Sequence, residues 1–197
     1  MVEKSASTVI QSAKLMLDIA RAAETDFNEG GIRRLSGLYQ AVTSGRSVTF
    51  VLQNMRGHVD GFDSWYEGVK KRLAEDPVCR WFVEVRNRIE KQGSAGIHSS
   101  SVHVVQLDTG ELMRAAPEGT VAAFLGDQLG RNGWVVALPD GSEQTVYFTL
   151  PPSVGETALH IEDAPGGADI TSLLAHYLAT LDAIVSEAEQ VFPLDHR

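Results

Sequence analysis

Gly133-Trp-Val-Val-Ala-Leu-Pro-Asp-Gly-Ser-Glu-Gln-Thr-Val-Tyr-Phe-Thr-Leu150 reads as two β-strands joined by a tight turn. Each flank is rich in β-branched and aromatic residues, and Asp140-Gly141 supplies the positive φ angles that a short hairpin connection demands. Period-two patterning extends outward on both sides. Ser101-Val-His-Val-Val-Gln-Leu and Thr120-Val-Ala-Ala-Phe-Leu are candidate strands upstream, and Thr157-Ala-Leu-His-Ile-Glu is another downstream.

The chain before Gly96 has a different period. Val9, Ile10, Ala13, Leu17, Ala20 and Ala23 recur three and four residues apart within Ser5 to Phe27, which predicts an amphipathic helix ended by Gly30-Gly31. A second helical stretch starts near Ile32, is expected to pause at Ser44-Gly45, and resumes from Arg46 to Met55. A third carries Phe62, Trp65, Tyr66, Val69 and Leu73. Asp76-Pro77 starts a fourth, with Asp76 as N-cap, Pro77 in the first turn, and Val78, Trp81, Phe82, Val85 and Ile89 as the buried stripe. After Pro165-Gly166-Gly167, Asp169 to Val191 places Ile170, Leu173, Leu174, Tyr177, Leu178, Leu181, Ile184, Val185 and Ala188 on one helical face. A small sheet cannot cover so long a face, so this helix is expected to return to the first bundle. The fold class is therefore α+β: a helical bundle over residues 1–97, a small antiparallel β region of three to five strands over 98–166, and a C-terminal helix over 167–197.

At 197 residues with 43% hydrophobic side chains, the chain can bury a core as one domain or two closely packed ones. Its single cysteine, Cys79, excludes an internal disulfide and falls on an apolar helical stripe, where a thiol acts as a small hydrophobe. No apolar run approaches the ~18 residues of a membrane span, and Met1 to Ser12 lacks the order of a signal peptide, so a cytoplasmic location without a membrane partner is expected. The net charge of −9 is unevenly spread. Residues 1–97 hold 14 Lys/Arg against 12 Asp/Glu, whereas 98–197 hold 3 against 14. The second half would repel phosphates, so any nucleic-acid contact is confined to the helical half.

That half carries the candidate chemistry. The fourth helix ends Arg86-Asn-Arg-Ile-Glu-Lys-Gln-Gly93. Here the chain resembles the HEPN superfamily, whose helical bundles carry an arginine, a polar residue, a spacer and a histidine on a late helix. Arg86 and Asn87 match the first positions, and the resemblance spans about residues 5–93 together with the last helix. It implies a dimeric bundle and, in active members, metal-independent RNA cleavage. The place of the family's histidine is held by Glu90, Lys91 and Gln92, so the resemblance implies a non-catalytic module that binds RNA, a nucleotide or a protein partner in bacterial defence or stress. The layout of Gly126-Asp127, Gly133-Trp134 and Asp140-Gly141-Ser142 after a helical half also resembles a group of actinobacterial proteins.

The residues themselves leave several readings open. As an endoribonuclease, the chain would use Arg86 to stabilise phosphorane charge beside Asn87, with Lys91, His98 or His58 completing the site. As a phosphate binder it would use Lys70, Lys71, Arg80, Arg86 and Arg88, with Arg72 adjoining and Trp65 and Tyr66 as stacking surfaces. As a homo-oligomer it would use the face around Trp81 and Phe82. A plain structural role pairs Arg86 with Glu90 one helical turn away. No cofactor and no metal site is expected: His98 and His103 alternate badly on one strand, and His160 with Glu162 and His103 makes no recognised ligand pattern. Ser99 to Ser101 lack a nucleophile elbow. Gly126-Asp-Gln-Leu-Gly-Arg-Asn-Gly lacks the Lys-Ser/Thr of a phosphate loop and reads as a turn.

Overall fold

The computed structural model describes residues 5–104, 109–151, 153–161 and 163–192. It begins with helix α1 (Ala6–Glu29), capped by the Ser5 hydroxyl, which accepts from the Thr8 N–H. A short 3-10 turn at Gly31–Arg33 leads into α2 (Arg34–Leu52), which packs antiparallel along α1. Then come α3 (Phe62–Glu75) and α4 (Pro77–Gln92). Asp76 caps α4 as its sequence requires, accepting from Val78 N at 2.8 Å and Cys79 N at 3.0 Å. Gly93, at φ 69°, ends the helix in the left-handed region that favours glycine.

The pause expected at Ser44-Gly45 does not occur, and α2 runs unbroken through both residues. Gly45 serves a tertiary purpose: a Cβ there would meet Tyr177 Cε1 at 2.8 Å and Leu181 Cδ1 at 3.3 Å. Both belong to the last helix, α6 (Ile170–Val191), which thereby seats directly on the α2 backbone. The glycine marks a close helix crossing, and its cost to helix propensity, about 1 kcal/mol, is absorbed by packing.

The β region also differs from the expected single sheet. It forms two antiparallel sheets. Strand β1 (Ile97–Val104) pairs with β5 (Gly155–Ile161), with Ser101 opposite Ala158 and a register shift between Ile97 and Ser99. Between them lie the short helix α5 (Thr109–Arg114), which the sequence did not announce, and the meander β2 (Thr120–Phe124), β3 (Asn132–Ala137) and β4 (Glu143–Phe148). The Gly133–Leu150 hairpin is the β3–β4 pair, with Trp134 opposite Val146. Separation into two sheets follows from burial. Leu159 and Ile161 of β5 join the helical core, whereas the meander makes its own cluster, in which Trp134 stacks on Phe148 with ring centroids 4.0 Å apart.

The main core lies among α1, α2, α3, α4 and α6. The apolar stripes of α1 and α6 are buried as their periodicity requires. Fully burying one such leucine or isoleucine is worth ~1.5–3 kcal/mol, so the α6 row of Leu174, Leu178, Leu181, Ile184 and Val185 is a major share of the stability. Arg21 to Asp182 at 2.8 Å and Lys14 to Glu189 at 2.6 Å flank the α1–α6 seam. Among the described residues, no helix is long and apolar enough to cross a membrane.

Candidate functional site

The helices leave one large groove, about 860 Å³, bordered by α2, α3, α4 and α6. Two apolar side chains on its walls stand off their helices' buried stripes: Phe50 on α2 is 46% exposed and Val83 on α4 is 36% exposed. Leu73 and Tyr177 extend the apolar lining. Arg46 and Arg80 are also among the lining residues. The Arg46 guanidinium lies 4.2 Å from the Phe50 ring centroid and donates to Thr49 Oγ1 at 2.9 Å. Neither arginine has a carboxylate within ion-pair distance among the described residues.

Proton-transfer groups are scarce here. Cys79 is 3% exposed, and burial, followed by the charge of Asp76, pushes its thiol up to about 12. Burial likewise raises the hydroxyls of Tyr66 and Tyr177 above their ordinary value, against the opposing influence of Arg46. Asp163 is partly desolvated, but hydrogen bonds from Trp81 and Arg88 outweigh this and hold its carboxyl below the usual range. No histidine is among the described residues lining the groove. Glu84 and Asp163 are the carboxylates among the described lining residues.

The residues expected from the sequence fall in several places. Lys70 and Arg80 line the groove. Arg86, Asn87, Arg88 and Lys91 of α4 and Lys71 of α3 do not. Most of the expected cations are neutralised within the chain. Lys70 binds Glu67 at 2.7 Å, Arg86 binds Glu90 at 2.7 Å, Arg88 binds Asp163 at 2.9 Å, and Lys71 approaches Glu75 at 3.9 Å. Arg72 is paired with Glu187, which also accepts from the Trp65 indole. Arg86 Nη1 donates to Asn87 Oδ1 at 3.2 Å, so the Arg-Asn pair is occupied with itself and with Glu90. Lys91 is exposed. Trp65 and Tyr66 pack with Phe62 in the core rather than presenting stacking faces.

Among the described residues the histidines do not converge either. His160 is hydrogen-bonded to Ser101 Oγ at 2.8 Å, and His103 stands opposite Glu156 in the ladder. Glu162 lies outside the described residues, and among those described no group of His, Cys, Asp and Glu is arranged to hold a metal ion. The segment at Gly126 is a turn: Asp127 Oδ1 accepts from Leu129 N at 2.8 Å and Arg131 N at 2.9 Å. Sequence reasoning missed Arg46, Phe50 and Val83. The available signal was an apolar side chain off the buried stripe on each of two helices.

Residues 21–132, more than half of the chain, match the family described as bacteriophage lambda protein ea47. The chain belongs to that family. Protein ea47 of Escherichia phage lambda is 35% identical over 65 residues, which cover 32% of this chain and 16% of that protein. The chain thus matches about a sixth of the relative's length. No solved structure matches. Membership of the ea47 family overturns the resemblance to HEPN bundles and to actinobacterial proteins. The physical reason is plain: an arginine and an asparagine near a helix end recur on many helices, and here their geometry is that of an ordinary ion pair one turn apart.

Proposed function

We propose that this ea47-family chain is a non-catalytic protein-binding module whose groove between α2, α3, α4 and α6 receives an acidic amphipathic helix. The observation that carries the reading is the pairing of exposed Phe50 and Val83 with Arg46 and Arg80, two guanidinium groups that have no carboxylate within ion-pair distance among the described residues. A helix laid in such a groove buries its apolar face on Phe50, Val83 and Leu73 and sets carboxylates against the arginines. A protein partner is favoured over RNA because the other cations of α3 and α4, Lys70 in the groove and Lys71, Arg72, Arg86 and Arg88 beyond it, are held by Glu67, Glu75, Glu187, Glu90 and Asp163. Phosphates spaced along a strand would have to displace these carboxylates.

Fluorescence anisotropy tests this with three labelled probes: a helical Leu/Glu peptide, its Leu/Lys counterpart and a single-stranded RNA. The acidic peptide should bind saturably, and Val83→Glu or Arg80→Glu should weaken it by about tenfold, the loss of one anchoring contact. Arg86→Ala should leave it unchanged. RNA binding without peptide binding, RNA cleavage dependent on Arg86, or peptide binding indifferent to both groove variants would overturn the reading.

A further inference from the structure

Away from the groove, Arg34 at the start of α2 is 6% exposed and has no carboxylate within 4.0 Å among the described residues. Its neighbour Arg33 is, by contrast, an exposed side chain paired with Asp26 at 3.1 Å. Of the five N–H donors a guanidinium carries, one is engaged: Nη2 donates to the Thr157 carbonyl at 2.9 Å. Nε is buried without a partner, and Nη1 has no hydrogen bond among the described residues. The charge of Asp127 acts on it electrostatically, but that carboxylate is bound to Arg131 at 2.7 Å. The Phe27 ring, 5.0 Å from the guanidinium carbon, supplies only partial compensation. A buried, hydrogen-bond-poor cation is among the costliest features a fold can retain, unless something outside the chain completes it.

The space for a completing group is present. Arg34 lines a cavity of about 500 Å³ formed by the end of α1, β1, the start of β3, the end of β4, β5 and the first turn of α6. Its polar lining includes Asn132, which is 5% exposed, with His103, Thr157 and Thr171. Phe148 and Leu150 offer an apolar wall. Gly30 borders the guanidinium so closely that a Cβ there would sit 3.5 Å from Nη1. A cavity of this size, about half open to solvent and lined by one arginine and one glutamate, has the ordinary dimensions of a metabolite site.

We propose that this cavity binds a small organic monocarboxylate, with its carboxylate on Arg34 and its apolar remainder against Phe148 and Leu150. One buried positive charge matches one negative charge. Glu29 also lines the cavity, and together with Asp127 it disfavours a dianion such as phosphate. This site is separate from the α2–α3–α4–α6 groove and does not depend on its occupant.

The test is NMR titration of the Arg34 Nε–H resonance in the full chain with sodium benzoate and sodium acetate, against sodium chloride and inorganic phosphate at matched ionic strength. A carboxylate should move the resonance saturably in the millimolar range, chloride should not, and phosphate should bind at least about tenfold more weakly. Arg34→Lys, followed through the backbone amide of Gly30 beside the guanidinium, should weaken binding by about tenfold. Because that variant alters a buried side chain, Thr171→Trp, which enlarges a different side chain of the cavity lining, should abolish binding while the helical circular dichroism is unchanged. A non-saturable shift, an equal response to chloride, tighter binding of phosphate, or binding that survives Thr171→Trp would overturn the proposal.

Discussion

Gly37 in α2 lies against the backbone of α1, and replacing it with alanine tests how closely the two helices are locked. The added methyl would stand 2.7 Å from Phe27 N, 2.8 Å from Ala23 O and 3.1 Å from Asp26 C. The first of these is about 0.7 Å short of the 3.4 Å at which ordinary contact begins. All three atoms are backbone, so no side-chain rotation relieves the contact and the helices themselves must part. Overpacking of this kind costs ~1–3 kcal/mol, and the upper end applies where nothing yields. Alanine returns about 1 kcal/mol of helix propensity, which leaves a net loss of about 2 kcal/mol. For a chain of this length that lowers Tm by about 4–8 °C. Gly68→Ala is the matched control, since nothing lies within 4 Å of its Cβ position in α3. It should gain about 1 kcal/mol and raise Tm by about 2–4 °C. Urea and thermal unfolding followed by far-ultraviolet circular dichroism measure both. If Gly37→Ala is as stable as the parent chain, or both variants shift in the same direction, the tight α1–α2 crossing is wrong.

Two further outcomes concern α4. Burial acts to raise the Asp76 carboxyl, but hydrogen bonds from His176 and from the N–H groups of Cys79 and Val78 prevail and hold it below its ordinary value. Its folded pKa is therefore below its unfolded one, so its stabilisation is complete above about pH 4 and is lost as pH falls through the folded value. Asp76→Ala should cost about 1–2 kcal/mol at neutral pH and progressively less in acid; an unfolding difference that stays constant between about pH 7 and about pH 3 would contradict this. Cys79, 3% exposed with its thiol pushed up to about 12, should resist a disulfide-exchange reagent in the native chain and react stoichiometrically in urea. Rapid native labelling would show that α4 opens over its buried face.

The sequence exposed those parts of the fold that local chemistry determines. The stripes of α1 and α6, the Asp76-Pro77 start of α4 and the β3–β4 hairpin all carry their cause within a few residues, and the structure places them there, although in the hairpin turn Gly141 takes a positive φ and Asp140 does not. What it concealed depends on distant partners. Gly45 resembles a helix stop until Tyr177 is packed on it. Division of the strands into two sheets depends on β5, not the meander, joining the helical core. Adjacent Arg33 and Arg34 look alike in sequence, and only the return of β5 buries the second. The same limit holds for the candidate site: Arg86-Asn87 stands out by residue type, whereas Phe50 and Val83 are marked only by their exposure, which no short motif records.

The β1–β5 ladder also dictates an order of events in folding. The α1–α2 pair and the β2–β4 meander join neighbours in the chain, whereas Arg34 meets Thr157 across 123 residues. Loop-closure entropy delays contacts of that span until the intervening segments have condensed. The Arg34 cavity, walled by β5 and the first turn of α6, therefore comes into being only with the final stitching of the chain. A carboxylate held there recognises the finished protein alone, and its binding energy adds to the stability of closure. The buried arginine is thereby among the last groups of the chain to be enclosed.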